Sequence, residues 1–269
     1  NFLLLSTGLS LIMTRPSHLC LRPLLLEDIS QVVELEHVGF PPHERASPLR
    51  IEYRLTNCPE LCSGLFIRKF DENKISKNEL PDHSTVISET LIGHVIGTKM
   101  LSDKITNNSM EVPNDFISIM CNKDGSLMDK YKSERLIQLE NEEKEKIEKN
   151  GNTEEELTST TTTAVNDDDE SNDSKQFGHF DNGNTIGIHS VIIDPNYRGL
   201  KLATLLLKDY LQKMSQQYVA DSIALICKEK LIPFYADIGF SDNGISKCKF
   251  AGEEWHDMTI HLDHEDDED

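Results

Sequence analysis

The stretch from His189 to Thr204, HSVIIDPNYRGLKLAT, constrains the fold more than any other part of the chain. Its apolar run predicts a strand, a turn begins at Asp194, and a short basic loop leads directly into an amphipathic helix. Backbone N–H groups at a helix N-terminus have no partner within the helix, and the helix dipole favours an anion there. Arg198 and Lys201 add positive charge at the same place. The sequence therefore predicts a pyrophosphate-binding loop between a strand and a helix.

Two further segments, at 22–40 and 231–240, support a functional interpretation of this loop. Together the three segments resemble the GNAT superfamily of acetyl-coenzyme A-dependent N-acetyltransferases. Within that superfamily they resemble most the arylalkylamine (serotonin) N-acetyltransferase branch, and in particular its fungal polyamine acetyltransferase members. The resemblance covers roughly 14–101 and 186–262, and it includes the segment IEYRLTNCPELCSGLFIR, with its CPEL motif, at 51–68.

The sequence departs from this family at two positions. The coenzyme loop of the superfamily follows the pattern Arg/Gln-x-x-Gly-x-Gly/Ala, and Lys201 stands where the middle glycine is expected. The animal enzymes of the branch carry a His-x-His pair in the preceding strand, and Gly187 occupies the place of its first histidine. A relay through two histidines is therefore not available to this chain.

The resemblance implies the GNAT acetyltransferase fold, an α/β domain with a mixed, mainly antiparallel sheet flanked by helices. Strand and helix patterns that alternate along the chain indicate the same fold class. We expect a single domain over 14–262, in which strands at 186–193 and 222–227 run parallel and splay apart around the pantetheine of the coenzyme. Residues 247–251 and 255–262 are expected to form the closing strands.

An acidic insertion at 102–185 interrupts the predicted domain. Residues 128–149 carry Glu and Lys at helical spacing, whereas 150–176 lack apolar residues to bury, so a charged helix and a disordered stretch are expected. We expect the insertion as a whole to be a largely disordered surface excursion. It accounts, together with an acidic tail at 263–269, for most of the net charge of −20. Nucleic-acid binding is not expected, because it requires a basic face.

The first residues of the chain and its cysteines indicate the cellular compartment in which we expect the protein. The apolar run at 1–13 lacks the positive segment and cleavage site of a signal peptide and is too short to span a bilayer. We expect it to be a non-native or disordered extension, with Met13 as the natural start. The 6 cysteines show no zinc-type pairing and are expected to be reduced thiols. These features predict a cytoplasmic protein that holds no metal and binds no membrane.

Amide formation from a thioester requires a base near the amine, an acid near the sulfur and donors for the oxyanion. The resemblance places Tyr235 on the family tyrosine beside the coenzyme sulfur, which implies that it is the acid. It places His189 on the second histidine of the animal pair, which implies a base or a water relay. Without the resemblance, each residue would be interpreted as an ordinary packing residue.

The resemblance also implies acetyl-CoA as co-substrate and assigns binding residues. The predicted coenzyme contacts are Val191, Ile192, Ile193, Arg198, Gly199, Leu200, Lys201, Leu202, Ala203, Thr204 and Tyr235. The predicted acceptor contacts are Phe40, Pro41, Glu44 and Ile226. Glu34 and Glu36 on the first helix could also receive an ammonium, although a solvated helix face is their ordinary role.

The sequence thus predicts an N-acetyltransferase that acetylates the primary amine of polyamines or arylalkylamines by direct attack in a ternary complex. Two alternatives stay open. One is a protein acetyltransferase for lysines or N-termini, whose acidic insertion binds basic proteins. The other is a non-catalytic protein that binds acetyl-CoA or recruits partners through its acidic segments.

Overall fold

A seven-stranded sheet with five α-helices forms the framework of the computed structural model, which describes residues 14–71, 73–74, 83–149 and 177–263. The strands are β1 (Leu19–Pro23), β2 (Cys62–Phe70), β3 (Val86–Met100), β4 (Thr185–Ile193), β5 (Ser222–Cys227), β6 (Ser241–Ile245) and β7 (His256–His261). The helices are α1 (Ile29–Gly39), α2 (Pro48–Asn57), α3 (Glu134–Lys149), α4 (Leu202–Gln217) and α5 (Ile232–Ala236).

The sheet has the order β1-β2-β3-β4-β5-β7-β6, and every neighbouring pair is antiparallel except β4 and β5. The predicted α/β fold with a mixed, mainly antiparallel sheet is therefore confirmed. Parallel pairing runs from Thr185 opposite Ser222 to Ile188 opposite Leu225 and stops there, although both strands continue. A gap between two neighbouring strands thus opens at their carboxyl ends.

Successive side chains of a strand point to opposite faces of the sheet. Apolar side chains therefore lie on both faces of this sheet, and helices cover both. Ile193 contributes to a core cluster with α4, in which Leu206 and Tyr210 are completely buried. Its neighbour Ile192 contributes to a second cluster with α1 and α2, on the opposite face. The phenol of Tyr210 donates a hydrogen bond of 3.0 Å to the carbonyl of Leu61, which satisfies its one polar atom.

The described part of the acidic insertion packs against the domain, which differs from the expected surface excursion. Helix α3 falls within the predicted charged helix, and Leu136 on it is completely buried in the cluster around α1. The carboxylate of Glu52 on α2 accepts hydrogen bonds from the backbone N–H groups of Ile119 (2.7 Å) and Met120 (3.0 Å). A few apolar side chains and one buried carboxylate are sufficient to anchor this acidic segment. The expectation of disorder at 150–176 concerns residues outside those described, as does the segment at 1–13.

One closing strand was predicted wrongly. Residues 247–251 do not form a strand, because Ala251 has a positive φ of 57° and the segment Phe250–Gly252 forms a 3-10 turn. The edge strand is instead β6, which pairs with β7. The prediction at 255–262 is confirmed by β7. No helix among the described residues combines the length and the apolar composition needed to cross a bilayer.

Candidate active site

A cavity occupies the gap where β4 and β5 diverge. It brings together six residues from the sequence-based prediction: Phe40, Glu44, His189, Val191, Ile226 and Tyr235. It also contains Glu36, one of the two first-helix carboxylates named as possible ammonium partners, and residues that the prediction did not assign, among them Met110, Lys228, Phe250 and Trp255. Pro41 is not among its lining residues, and the loop 198–204 lies beyond the end of β4, outside the cavity.

His189 is the extra residue of a β-bulge in β4. Pairing with β3 shifts between Ile96 opposite Ser190 and Gly97 opposite Ile188, so His189 has no partner across the ladder. Such bulges re-aim side chains and are frequent beside active sites. Burial lowers the pKa of His189 well below its ordinary value, and the charges of Arg54 and Arg50 lower it further. The imidazole is therefore neutral at physiological pH.

Tyr235 lies on α5 and contributes its ring to the cavity wall. The ring makes edge contacts with Phe234 and Phe240, whose centroids lie 5.0 Å and 5.8 Å from its own. The side chain is only 7% exposed. Burial raises the pKa of its phenol above the ordinary value, and the nearby Cys227 raises it further. The phenol therefore stays protonated at neutral pH, as a general acid must.

The predicted pyrophosphate loop has the backbone of an anion site. Gly199 has a φ of 79° and Lys201 a φ of 57°, so both adopt the left-handed region just before α4. This explains why glycine is usual at the position of Lys201, whose side chain is exposed here. The first intrahelical bond runs from the N–H of Leu205 to the carbonyl of Lys201, at 3.1 Å. The preceding N–H groups therefore have no acceptor within the helix.

An additional cation lies beside this loop. The guanidinium of Arg15 donates a hydrogen bond of 3.0 Å from Nε to the carbonyl of Leu200, and its side chain is exposed. The Nε of Arg198 contacts the carbonyl of Ile193 at 3.3 Å. Arg15, Arg198 and Lys201 thus surround the start of α4. Sequence reasoning missed Arg15, because nothing local relates it to a loop so distant in the chain.

The three residues of β4 that were predicted to contact the coenzyme share one backbone arrangement but differ in where their side chains lie. Val191, Ile192 and Ile193 all pair with β3 on one edge, while no strand among the described residues pairs with the other edge of β4 beyond Ile188. That edge offers backbone groups to an extended ligand. The side chains of Ile192 and Ile193 are buried in the two cores, so only their backbone is available for this purpose.

Gly187, which stands in place of the first histidine of the animal pair, lies in a closely packed position. A β-carbon on Gly187 would collide with the sulfur of Met100 and lie 2.9 Å from Cδ1 of Ile105. Ile105 belongs to the described part of the insertion. A histidine at this position would therefore require the side chains of Met100 and Ile105 to move.

The insertion also reaches the cavity itself. The sulfur of Met110 lies 3.1 Å from Nδ1 of His189, and the carbonyl of Met110 accepts a hydrogen bond of 3.1 Å from Nη2 of Arg54. Asn107 accepts a hydrogen bond of 2.9 Å from the backbone N–H of Lys249. Met110 is consequently the residue through which the insertion lines the cavity. No sequence pattern indicated this contact, since the insertion was predicted to be a surface excursion.

Lys228 connects two segments above the cavity. Its ammonium lies 3.2 Å from the carboxylate of Glu44, 3.0 Å from that of Glu253 and 4.1 Å from the ring centroid of Trp255. His43, Glu44 and Glu253 place ligand atoms within 4.8 Å of one another, a spacing compatible with a cation. Lys228 already supplies positive charge to both carboxylates of that group.

A buried polar cluster lies on the opposite side of the cavity. The Oε1 atom of Glu36 lies 3.1 Å from Nε2 of His94 and accepts a hydrogen bond of 2.5 Å from the hydroxyl of Ser190. Nε2 of His94 also lies 3.0 Å from the Ser190 hydroxyl. Glu36 and Ser190 line the cavity, and His94 supports them from behind. The one available signal was a lone histidine in the apolar strand LIGHVIG.

The comparisons with known proteins relate the chain to acetyltransferases. Residues 130–262, nearly half of the chain, match the family model described as "Acetyltransferase (GNAT) domain". No curated protein sequence matches the chain.

The comparison with solved structures matched the chain to three proteins among others. The loading GNATL domain of CurA from Lyngbya majuscula is 12% identical with a TM-score of 0.49, covering 92% of this chain and 100% of that chain. The GphF GNAT-like decarboxylase in complex with isobutyryl-CoA is 11% identical with a TM-score of 0.49, covering 91% and 100%. The ribosomal-protein-S18-alanine N-acetyltransferase from Escherichia coli is 8% identical with a TM-score of 0.44, covering 93% and 97%.

Proposed function

We propose that the chain is a GNAT acetyltransferase, as the match of residues 130–262 to that family model supports, and that it transfers acetyl from acetyl-CoA to the primary amine of a small molecule. The observation that carries this proposal is the meeting of His189 and Tyr235 at one cavity, at the point where β4 and β5 diverge. One residue there is a neutral base and the other is a protonated acid. These are the two groups that amide formation from a thioester requires.

The described residues fit the coenzyme at two places. The left-handed backbone at Gly199 and Lys201 and the open N–H groups of α4 suit a pyrophosphate, with Arg15 and Arg198 as neighbouring cations. The unpaired edge of β4 beyond Ile188 suits the amide groups of a pantetheine arm. Acetyl-CoA supplies the acetyl thioester, and the chain holds it so that the sulfur faces the cavity.

The acceptor amine arrives as an ammonium and must lose a proton before it attacks, since alkylammonium groups have a pKa of about 10.4. His189 takes that proton directly or through water. The amine nitrogen then bonds to the acetyl carbon, the carbon–sulfur bond breaks, and Tyr235 donates its proton to the departing sulfur. The second proton that the nitrogen loses as it becomes an amide restores the phenol of Tyr235, and His189 releases the first proton to solvent. The acceptor therefore leaves as an amide.

The surroundings of the cavity favour a small acceptor over a protein segment. Lys228 forms ion pairs with Glu44 and Glu253 and a cation–π contact with Trp255. It thereby connects two segments that contribute to the cavity wall. A folded or extended peptide would need an open groove at this place. Aromatic rings and carboxylates in the wall suit the cationic and apolar parts of polyamines or arylalkylamines.

The test is an assay of the purified full chain with acetyl-CoA and spermine, tryptamine or phenethylamine, in which release of free coenzyme is followed. We expect turnover of at least one amine and none by a Tyr235→Phe, His189→Gln double variant. Acetylation of basic peptides without any small amine would instead establish a protein acetyltransferase. Calorimetry that detects no acetyl-CoA binding would support the alternative of a non-catalytic protein that recruits partners through its acidic segments.

A further inference from the structure

We infer that Glu36 is the anionic site that binds the ammonium group of the acceptor in the cavity. This inference rests on the proposed function and assigns a role to a residue that lines the same cavity as His189 and Tyr235. Glu36 lies near the end of α1, and only 2% of it is exposed to solvent in a structure without acceptor. A carboxylate buried to this extent requires partners that stabilise its charge.

The carboxylate of Glu36 is held in a fixed orientation by donors from three elements. Oε1 receives the hydroxyl of Ser190 at 2.5 Å and faces Nε2 of His94 at 3.1 Å, while Oε2 receives the backbone N–H of Ala46 at 2.9 Å. An ionised carboxylate has about four positions for donors. Described residues occupy three of them, which leaves one for a donor that enters through the cavity.

The donors around Glu36 orient it without neutralising it. Nδ1 of His94 is buried with no hydrogen-bond partner among the described residues, so His94 is best accommodated as the Nε2–H tautomer. No lysine or arginine among the described residues lies within 4.0 Å of the Glu36 carboxylate. Arg54 interacts with Glu36 at longer range, but its guanidinium donates to the carbonyl of Met110. A cation bound in the cavity would complete this charge balance.

The two other candidate carboxylates are engaged elsewhere. Glu44 also lines the cavity, but its Oε1 already lies 3.2 Å from the ammonium of Lys228. Glu34 is directed towards α3, where it contacts the hydroxyl of Ser133 and lies 3.7 Å from Nε of Arg135. Of the two carboxylates in the cavity wall, Glu36 is therefore the one without a paired cationic side chain.

The test compares Glu36→Gln with Glu36→Asp and with Glu34→Gln, a matched control on the same helix. The amide keeps the size of the side chain and removes its charge, so kcat/KM for the amine should fall roughly 10- to 100-fold, mainly through KM. The KM for acetyl-CoA should stay unchanged. Glu36→Asp should recover part of the loss, and Glu34→Gln should behave like the wild type.

A folded Glu36→Gln variant with the wild-type KM for the amine would overturn the inference and leave the proposed function intact. A wild-type protein that acetylates no amine would overturn both. If the Gln variant does not fold, wild-type calorimetry with the acceptor as a primary ammonium and with its alcohol analogue, which keeps a donor but carries no charge, decides. Tighter binding of the cation by tenfold or more supports the role of Glu36, and equal binding overturns it.

Discussion

The hydroxyl of Thr98 on β3 lies 2.7 Å from Nε2 of His189, the bulged residue of β4. On the other side of the ring, Nδ1 faces the sulfur of Met110 at 3.1 Å. The imidazole is thus held between a strand of the sheet and a residue of the insertion. These two contacts fix the orientation of the ring of a residue that lines the cavity, and burial in this position keeps the imidazole neutral.

Replacing His189 by Gln should therefore alter the dependence of stability on pH. The pKa of His189 is lowered in the folded state, so the unfolded chain binds a proton below about pH 6.5 that the folded chain does not. Wild-type stability should fall relative to the variant by up to about 1.4 kcal/mol per pH unit below that point. Thermal unfolding of both proteins between pH 7.5 and 5 checks this, and parallel curves would contradict it.

The same substitution should slow catalysis and shift the pH–rate profile to higher pH. Without a base in the cavity, turnover depends on the fraction of acceptor that is already a free amine, and this fraction rises with pH. Steady-state rates from pH 6 to 10 measure the shift. Thr98→Val is the companion variant, because it removes only the hydroxyl that orients the ring. An unshifted profile for His189→Gln would mean that the base lies elsewhere.

Removing the phenol of Tyr235 should affect chemistry without affecting coenzyme binding. Tyr235→Phe keeps the edge contacts with Phe234 and Phe240 and removes the acid. We expect kcat to fall by roughly 10²- to 10⁴-fold, the range typical of a lost proton donor. Calorimetric affinity for acetyl-CoA should remain close to that of the wild type. A variant with full kcat would exclude Tyr235 as the acid.

Lys201 combines a strained backbone with a useful charge, and two substitutions separate these effects. Lys201→Ala keeps the left-handed conformation and should weaken acetyl-CoA binding roughly two- to fivefold, as expected for an exposed ion pair. Lys201→Gly loses the same charge and relieves the strain, so it should be more stable than Lys201→Ala. Calorimetry and thermal unfolding measure the two properties. Equal stability of the two variants would show that the φ of 57° carries no strain.

Leu136 lies on α3 and is completely buried, so a substitution there tests how the insertion packs against the domain. Leu136→Ala should reduce the free energy of unfolding by about 2–5 kcal/mol, the usual effect of such a cavity. Ile147 on the same helix is 67% exposed, so Ile147→Ala is the matched control and should change stability by less than about 0.5 kcal/mol. Equal effects in denaturant titrations would mean that α3 does not pack against α1.

Most of the structure that could be predicted came from sequence patterns that span only a few neighbouring residues. The run from Val191 to Thr204 predicted a strand, a turn and a helix start, because each depends on residues only a few positions apart. The closing strand failed at Ala251, where a local turn overrides the extended pattern.

The contents of the cavity could not be predicted in the same way. His94 and Ser190 are 96 positions apart in the chain, and Ser190 and Glu36 are 154 apart. Nothing in either neighbourhood indicates the other, and an acidic residue on an amphipathic helix is ordinarily solvated. Only the sheet order, which places β3 beside β4 and α1 across both, makes these residues neighbours.

The sequence by itself determined the fold class and predicted the coenzyme-type loop, because both are encoded in short segments whose backbone geometry follows from local chemistry. The candidate pair His189 and Tyr235 came from the resemblance to a family. Tertiary structure alone decided which carboxylate in the cavity lacks a cationic partner, how the insertion reaches the cavity at Met110, and which side chains pack against Gly187. Burial and charge pairing are properties of the packed molecule, because they depend on which distant segments meet.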